Sequence, residues 1–176
     1  LAVNVPPNLL ADHRLLDAAD EAFGKDPLAL CQVVFELTER QMGEFGQQSV
    51  RHVMKSLRQR GAQFALDDFG VGFSNLSVLQ QVEVDYVKID RSFVQDWNPQ
   101  RPGAEVLEAM ILLIRSLGVL VVVEGVETER ELERIKRYGI RFAQGFLFSR
   151  PVELDALLTQ LAARAQEAAK LRPTSS

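Results

Sequence analysis

The sequence predicts an α/β fold, and within that class a (β/α)8 TIM-like barrel with its N-terminal strands absent from this chain. Three observations predict it. Short runs rich in Val, Ile and Phe alternate with longer stretches of helical periodicity, the signature of a parallel sheet clothed in helices. The short runs are nearly continuous in apolar residues, as strands covered on both faces must be. Almost every run ends in a polar side chain: Asn4, Glu36, Asp67 with Asp68, Lys88 with Asp90, Glu124 and Gln144. In a parallel barrel such ends meet at one mouth, whereas an open doubly wound sheet would spread them along a line.

The strands are expected at residues 1–5, 33–37, 63–67, 86–89, 119–124 and 142–146. Between them, residues 48–60 place Val50, Val53, Met54 and Leu57 on one helical face, with Gly61 as the stop. Residues 104–117 carry a broad apolar stripe that ends at Gly118. Thr128 followed by Glu131 is a capping-box pattern, opening a helix that ends near Gly139. The last helix, 154–170, sets Leu154, Leu157, Leu158 and Leu161 on one side, and 172–176 reads as a frayed tail after a single domain spanning 1–171. Six strand–helix units fall short of the roughly eight a closed barrel needs, which predicts about two further N-terminal units.

Composition narrows the function. A formal net charge of −4 argues against a general binder of DNA or RNA, which relies on many Lys and Arg contacts to phosphate. A small phosphorylated ligand remains compatible, because bound cations can supply positive charge. The only cysteine, Cys31, allows no internal disulfide and is expected in the core. The two histidines, His13 and His52, lie in polar helix-like stretches and read as surface residues, which disfavours a His-based zinc site. The longest strongly apolar run, 117–123, is too short to span a bilayer, and no signal peptide is visible.

The chemistry resides in the oxygen donors at the strand ends. Gathering Asn4, Glu36, Asp67, Asp68 and Glu124 at one rim is costly unless cations compensate them. Hard divalent ions, Mg2+ or Mn2+, suit an all-oxygen set, and adjacent Asp67 and Asp68 could serve two ions at once. Lys88 and Asp90 share a strand face, and a lysine beside carboxylates stays protonated, suited to holding a water or a phosphate oxygen. Singly, each of these residues has a plainer reading. A strand-end carboxylate often caps a helix, Asn4 before Pro6 could shape a turn, Lys88 and Asp90 could pair, and Gln144 could satisfy backbone groups. Glu39 and Glu127 could favour the positive end of the helix that follows each. Jointly, at successive strand ends, the plain readings lose ground. No Gly-x-Ser-x-Gly elbow is present, and Gly70-Val71-Gly72 lacks the third glycine of a dinucleotide fingerprint.

The runs ELTE (36–39), DDFGVGFSNL (67–76), KID (88–90), EGVET (124–128) and QGFLFSRP (144–151), with VNV around Asn4, resemble the successive motifs of EAL domains. The resemblance implies a modified (β/α)8 barrel with one antiparallel strand, and hydrolysis of cyclic di-GMP to linear pGpG with two Mg2+ or Mn2+ ions. By motif, Asn4, Glu36 and Asp67 would bind one ion, Asp67 and Asp68 the other, with Glu124 completing the cluster. Lys88 would orient the attacking water. Asp90, Glu127 and Gln144 would line the site, and Glu39 would hold the loop that couples it to a homodimer face near 68–76. The Glu-Ala-Leu triplet is not among these residues. The alternative within the family is a receptor that binds the dinucleotide without cutting it. The family's substrate implies a bacterial cytoplasmic location, in the cytosolic part of a larger sensor protein.

Overall fold

The computed structural model describes residues 1–170 except 7–8, 10–13, 25, 27, 39–40, 42–46, 72–78, 80–81 and 96–103, and it leaves aside the side chains of 47–49 and 165–170. In chain order the described elements are β1 (Ala2–Asn4), α1 (Arg14–Phe23), β2 (Val34–Thr38), α2 (Gln47–Arg58), β3 (Gln63–Phe69) and β4 (Tyr86–Ile89). There follow α3 (Ser92–Gln95), α4 (Ala104–Ser116), β5 (Leu120–Val123), α5 (Glu129–Arg137), β6 (Phe142–Ala143) and α6 (Leu154–Lys170). The strands form one sheet in sequential order, β1 to β6, and every pairing is parallel. The crossovers after β1, β2, β4 and β5 each carry a helix, as the apolar alternation predicts, while residues 72–78 and 80–81 of the β3–β4 crossover lie outside the described residues.

The core lies on the helix side of the sheet. Phe35 and Leu37 of β2, Phe64 and Leu66 of β3, Val87 and Ile89 of β4, and Val121 and Val123 of β5 are all buried. Residues two apart on a strand share a face, so these eight point the same way. Against them pack Leu15 and Ala19 of α1, Val53, Met54 and Leu57 of α2, Leu107, Ile111 and Ile114 of α4, and Ile135 of α5. Val50, Val53, Met54 and Leu57 form the buried stripe that the 3.6-residue period requires. The other sheet face carries Glu36, Ala65, Asp67, Lys88, Val122 and Glu124, the side that becomes the interior of a barrel.

Arg58 fastens the start of the sheet. Its guanidinium grips Asp85 through two bonds, Nη1 to Oδ1 at 3.2 Å and Nη2 to Oδ2 at 2.8 Å. Oδ2 of Asp85 also accepts the Phe64 backbone N–H at 2.8 Å, so one carboxylate ties α2 and β3 to the chain entering β4.

Several boundaries depart from expectation. β3 runs two residues past 67, through Phe69, because a bulge keeps it paired with β4. β6 stops at Ala143 rather than at 146, because the chain turns at Gly145. A Cβ at Gly145 would press into the backbone O and N of Val126, so only glycine lets this turn approach. The approach is used: the Val126 N–H donates to the Gln144 carbonyl at 3.1 Å, and the Leu147 N–H donates to the Val126 carbonyl at 3.0 Å. Replacing Gly145 with alanine is expected to destabilise the protein by about 1–3 kcal/mol, read from the urea midpoint, since backbone cannot yield as a side-chain tip can.

Cys31 corrects the sequence reading. It is exposed, on the turn that leads into β2, with its Sγ against Gly61. Leu30 and Val33 fill the core on either side of it, so the turn has no inward position left for residue 31. His52 is exposed on α2 as expected, while His13 lies outside the described residues. The leucine stripe of α6 is exposed, in contrast to the stripes of α2 and α4.

A carboxylate cluster around a buried lysine

Three strands deliver carboxylates to one ammonium. Lys88 Nζ lies 2.8 Å from Glu36 Oε2 of β2, 3.0 Å from Asp67 Oδ1 of β3 and 2.8 Å from Glu124 Oε1 at the end of β5. The Lys88 side chain is 6% exposed, so these contacts form with little water to weaken them. The parallel register explains the convergence. Lys88 sits beside Val122 in the β4–β5 ladder, one pleat below Glu124, and its long stem lifts the ammonium to the level of the carboxylates. The Glu124 backbone N–H continues that ladder, donating to the Ile89 carbonyl at 3.0 Å.

A bulge explains the two adjacent aspartates. β3 advances from Leu66 to Phe69 while β4 advances only from Val87 to Ile89, so β3 carries one extra residue there. In a regular strand, Asp67 and Asp68 would point to opposite faces. Here Asp68 adopts φ 55°, the left-handed region that Asp tolerates better than most residues, and its N–H donates to Asp67 Oδ1 at 3.0 Å. As a result, oxygens of Asp67, Asp68 and Glu124 lie within 4.8 Å of one another. The backbone conformation costs energy and its product is a paired acidic rim, the pattern expected of strain held at a functional site.

The electrostatics follow from crowding. Burial would push the Lys88 ammonium down, but hydrogen bonds to Glu124, Glu36 and Asp67 outweigh it and hold its pKa well above the ordinary lysine value. Burial, with help from Asp67 and Glu36, raises the Glu124 carboxyl despite the opposing pull of Lys88. Burial, Asp67 and Asp90 likewise raise Asp68 against Lys88. Asp90 moves the other way. Burial raises it, yet hydrogen bonds from the Ser92 side chain and from the backbone of Ser92 and Arg91 win, and its pKa is lowered. Its Oδ1 accepts the Ser92 N–H at 2.9 Å, so Asp90 spends one oxygen on the turn that opens α3.

One ammonium cannot neutralise Glu36, Asp67, Asp68 and Glu124. The surplus of negative charge, the all-oxygen donors and the 4.8 Å grouping fit a hard divalent cation.

The remaining candidates divide. Asn4 is level with Glu36 in the β1–β2 register and shares its face at the same rim. The Glu127 backbone N–H donates to Glu131 Oε2 at 2.8 Å, in the loop before α5. Gln144 is exposed, and its backbone bridges Val123 and Val126. Glu39 lies outside the described residues, as do 72–76 of the expected dimer loop. A cleft of about 550 Å3 lined by Val94, Thr128, Arg130, Glu131, Glu133 and Arg137 opens beside α5, and Glu36, Asp67, Asp68 and Glu124 are not among its lining.

Gln41 is the residue that sequence reasoning missed. It is buried, its Nε2 donates to the Val5 carbonyl at 2.8 Å, and its Oε1 accepts the Thr38 N–H at 2.8 Å. It thereby clamps the ends of β1 and β2, between Asn4 and Glu36. The signal was present: Thr38-x-x-Gln41 is the same capping-box pattern as Thr128-x-x-Glu131.

The Thr128 box itself forms, with Glu131 N–H to Thr128 Oγ1 at 3.3 Å and Thr128 N–H to Glu131 Oε2 at 2.9 Å. Thr128→Ala is expected to cost about 1 kcal/mol in a urea titration, the usual worth of an N-cap.

A parallel strand–helix sheet with acidic side chains and a lysine at one rim defines a barrel-type metal-site domain. The chain belongs to the EAL domain family, whose profile matches residues 1–151. It is 34% identical over 157 residues to the cyclic di-GMP phosphodiesterase NbdA of Pseudomonas aeruginosa, covering 89% of this chain and 20% of that protein. The crystal structure of the EAL domain of Mycobacterium smegmatis DcpA is 35% identical with a TM-score of 0.83, covering 93% of this chain and 72% of that one. BlrP1 of Klebsiella pneumoniae, solved as a manganese and cyclic di-GMP complex, is 36% identical with a TM-score of 0.70, over 86% of this chain and 38% of that one. The chain thus spans about a fifth of the length of NbdA.

Proposed function

We propose that this chain is the larger part of a metal-dependent phosphodiesterase domain that opens cyclic di-GMP to linear pGpG. The observation that carries the reading is the meeting of Glu36, Asp67 and Glu124 on Lys88, with Asp68 turned to the same rim by the β3 bulge. NbdA is a cyclic di-GMP phosphodiesterase, and BlrP1 was solved with manganese or calcium and cyclic di-GMP, which supports this substrate and a divalent cation.

In this reading Asn4, Glu36 and Asp67 hold one cation, Asp67 and Asp68 hold a second, and Glu124 completes the set. Two such cations would supply Lewis-acid stabilisation of the charge that builds on the phosphodiester and would lower the pKa of the attacking water. Lys88 stays protonated between three carboxylates that take up its three N–H donors, and it would orient the attacking water with a donor that one of them releases. Its raised pKa keeps it a donor, so it is not the general base. Asp90, Glu127 and Gln144 shape the rim around the nucleotide, and Glu39 restrains the loop after Asp68. Exposed Val71 on that loop and exposed Val106 on α4, the helix whose Met110 lies against Gly70, support a homodimer face; loss of the dimer in sedimentation of Val106→Glu tests it. Among the described residues no helix is long and apolar enough to cross a membrane, and a place in the bacterial cytoplasm, as part of a larger sensor protein, completes the reading.

The test is incubation of the intact EAL protein with cyclic di-GMP and Mn2+ or Mg2+. Linear pGpG is expected, and chelation stops its appearance. Cyclic di-GMP bound tightly and recovered whole in the presence of metal would overturn the hydrolase in favour of a receptor.

A further inference from the structure

A side chain takes the place of one rung in the β1–β2 ladder. In a parallel pair the rungs are evenly spaced, each bonded residue giving its N–H to one neighbour and taking the next through its carbonyl. Here the Leu1 carbonyl accepts the Val34 N–H at 2.8 Å, and the Val5 N–H donates to the Glu36 carbonyl at 3.0 Å. With Asn4 paired to Glu36, the following rung would run from the Thr38 N–H to the Val5 carbonyl. Both groups turn to Gln41 instead. The Thr38 N–H donates to Gln41 Oε1, and the Val5 carbonyl accepts from Gln41 Nε2, each at 2.8 Å. Two bonds and the breadth of a carboxamide thus stand where a single bond of about 2.9 Å would draw the strands together. The place is particular: Thr38 is level with Asp67 in the β2–β3 register, and Val5 directly follows Asn4. The amide therefore lies at the height where Asn4, Glu36 and Asp67 end their strands. It is 8% exposed with both polar atoms bonded, so its position is fixed. Capping alone needs only its oxygen; in the Thr128 box the Glu131 carboxylate suffices. The Nε2 donor is what reaches across to β1.

We propose that Gln41 is a positioning residue of the cation site: its carboxamide replaces one rung between β1 and β2 and so sets the gap between Asn4 on one side and Glu36 with Asp67 on the other. The inference rests on the reading that these three residues hold a cation. Gln41 bonds to the backbone of Val5 and Thr38, so it acts on the ligands through the strands that carry them. A small divalent cation demands oxygen donors at nearly fixed distances. Strand ends drawn together by a direct rung, or loosened by loss of both amide bonds, would misplace Asn4.

The test titrates Mn2+ into the metal-free intact EAL protein and reads the free ion by electron paramagnetic resonance, with circular dichroism confirming that each variant is folded at the temperature used. Asn4→Ala checks the cation reading itself and is expected to weaken binding. Gln41→Met keeps the length of the side chain and removes both bonds; it is expected to weaken binding by about tenfold or more, the usual effect of a partner outside the ligand set. Gln41→Glu keeps the acceptor for Thr38 and loses the donor for Val5. It is expected to weaken binding as well, although an added negative charge by itself would strengthen it. In an Asn4→Ala background Gln41→Met is expected to add little, because both changes act through one ligand. Arg58→Met loosens the opposite end of the sheet and is expected to leave Mn2+ affinity as it was, which separates spacing from general destabilisation. Wild-type affinity in either Gln41 variant, a full further loss in the Asn4→Ala background, or equal weakening by Arg58→Met would overturn the proposal and leave the cation reading standing. Wild-type affinity in Asn4→Ala would overturn the cation reading and the proposal with it.

Discussion

Lys88→Met is expected to destabilise the protein by about 3–5 kcal/mol at neutral pH, the cost of removing one partner from a buried ion cluster. The ammonium is the only cation within 3.0 Å of Glu36, Asp67 and Glu124 among the described ion pairs. Methionine keeps the stem and removes the charge, leaving three carboxylates facing each other at 10%, 14% and 19% exposure. The sign of the pH dependence follows. Burial already raises the Glu124 carboxyl, and without Lys88 its pKa rises further. A carboxyl whose folded pKa lies above its unfolded value destabilises the fold when ionised. The penalty therefore stands in full above the raised folded pKa and disappears as pH falls towards the unfolded value. Urea titrations of both proteins from neutral to mildly acidic pH should show the gap narrowing. Adding Glu36→Gln to Lys88→Met should recover part of the loss, because it removes one unpaired charge. An unchanged midpoint in Lys88→Met would mean that the cluster is solvated and that Lys88 does not hold it.

Asp67→Ala carries the second large effect. Asp67 contributes to the Lys88 cluster and to the acidic group that fits a cation. A cation that binds only the folded protein stabilises it by about 2.7 kcal/mol at a hundred times its dissociation constant. Wild type should show that gain as a rise in melting temperature on adding Mn2+, and Asp67→Ala should lose it. Cyclic di-GMP turnover by the intact protein should fall by more than about 100-fold, since even outer-sphere partners of a metal cost 10–100-fold. The metal-free variant should stay folded. Lys88 keeps Glu36 and Glu124, and removing Asp67 lets the Glu124 and Asp68 pKa values relax downward. A Mn2+-dependent shift equal to wild type would place the cation elsewhere.

The parallel sheet was legible because each buried strand is a short apolar run and each packed helix has a 3.6-residue stripe. Val50, Val53, Met54 and Leu57 show how closely period maps to burial. Cys31 was misjudged and Gln41 was missed for one common reason. Whether a small or polar side chain is buried depends on which neighbour fills the adjacent space, and that neighbour is distant in sequence. Gln41 is buried because the Val5 carbonyl, 36 residues away, needs a donor.

By itself the sequence determined the order of elements, the chemical type of each strand end and the excess of carboxylates over cations at the rim. These follow from residue identity and local period, which need no partner. Tertiary structure decided the rest. The bulge that brings Asp67 and Asp68 to one rim exists only because β3 must stay paired with β4 across an extra residue. Lys88 becomes the hub of three carboxylates only because parallel register sets its stem one pleat below Glu124 and between β2, β3 and β5. Register and bulges are properties of strand pairs, and no single segment of the chain encodes them.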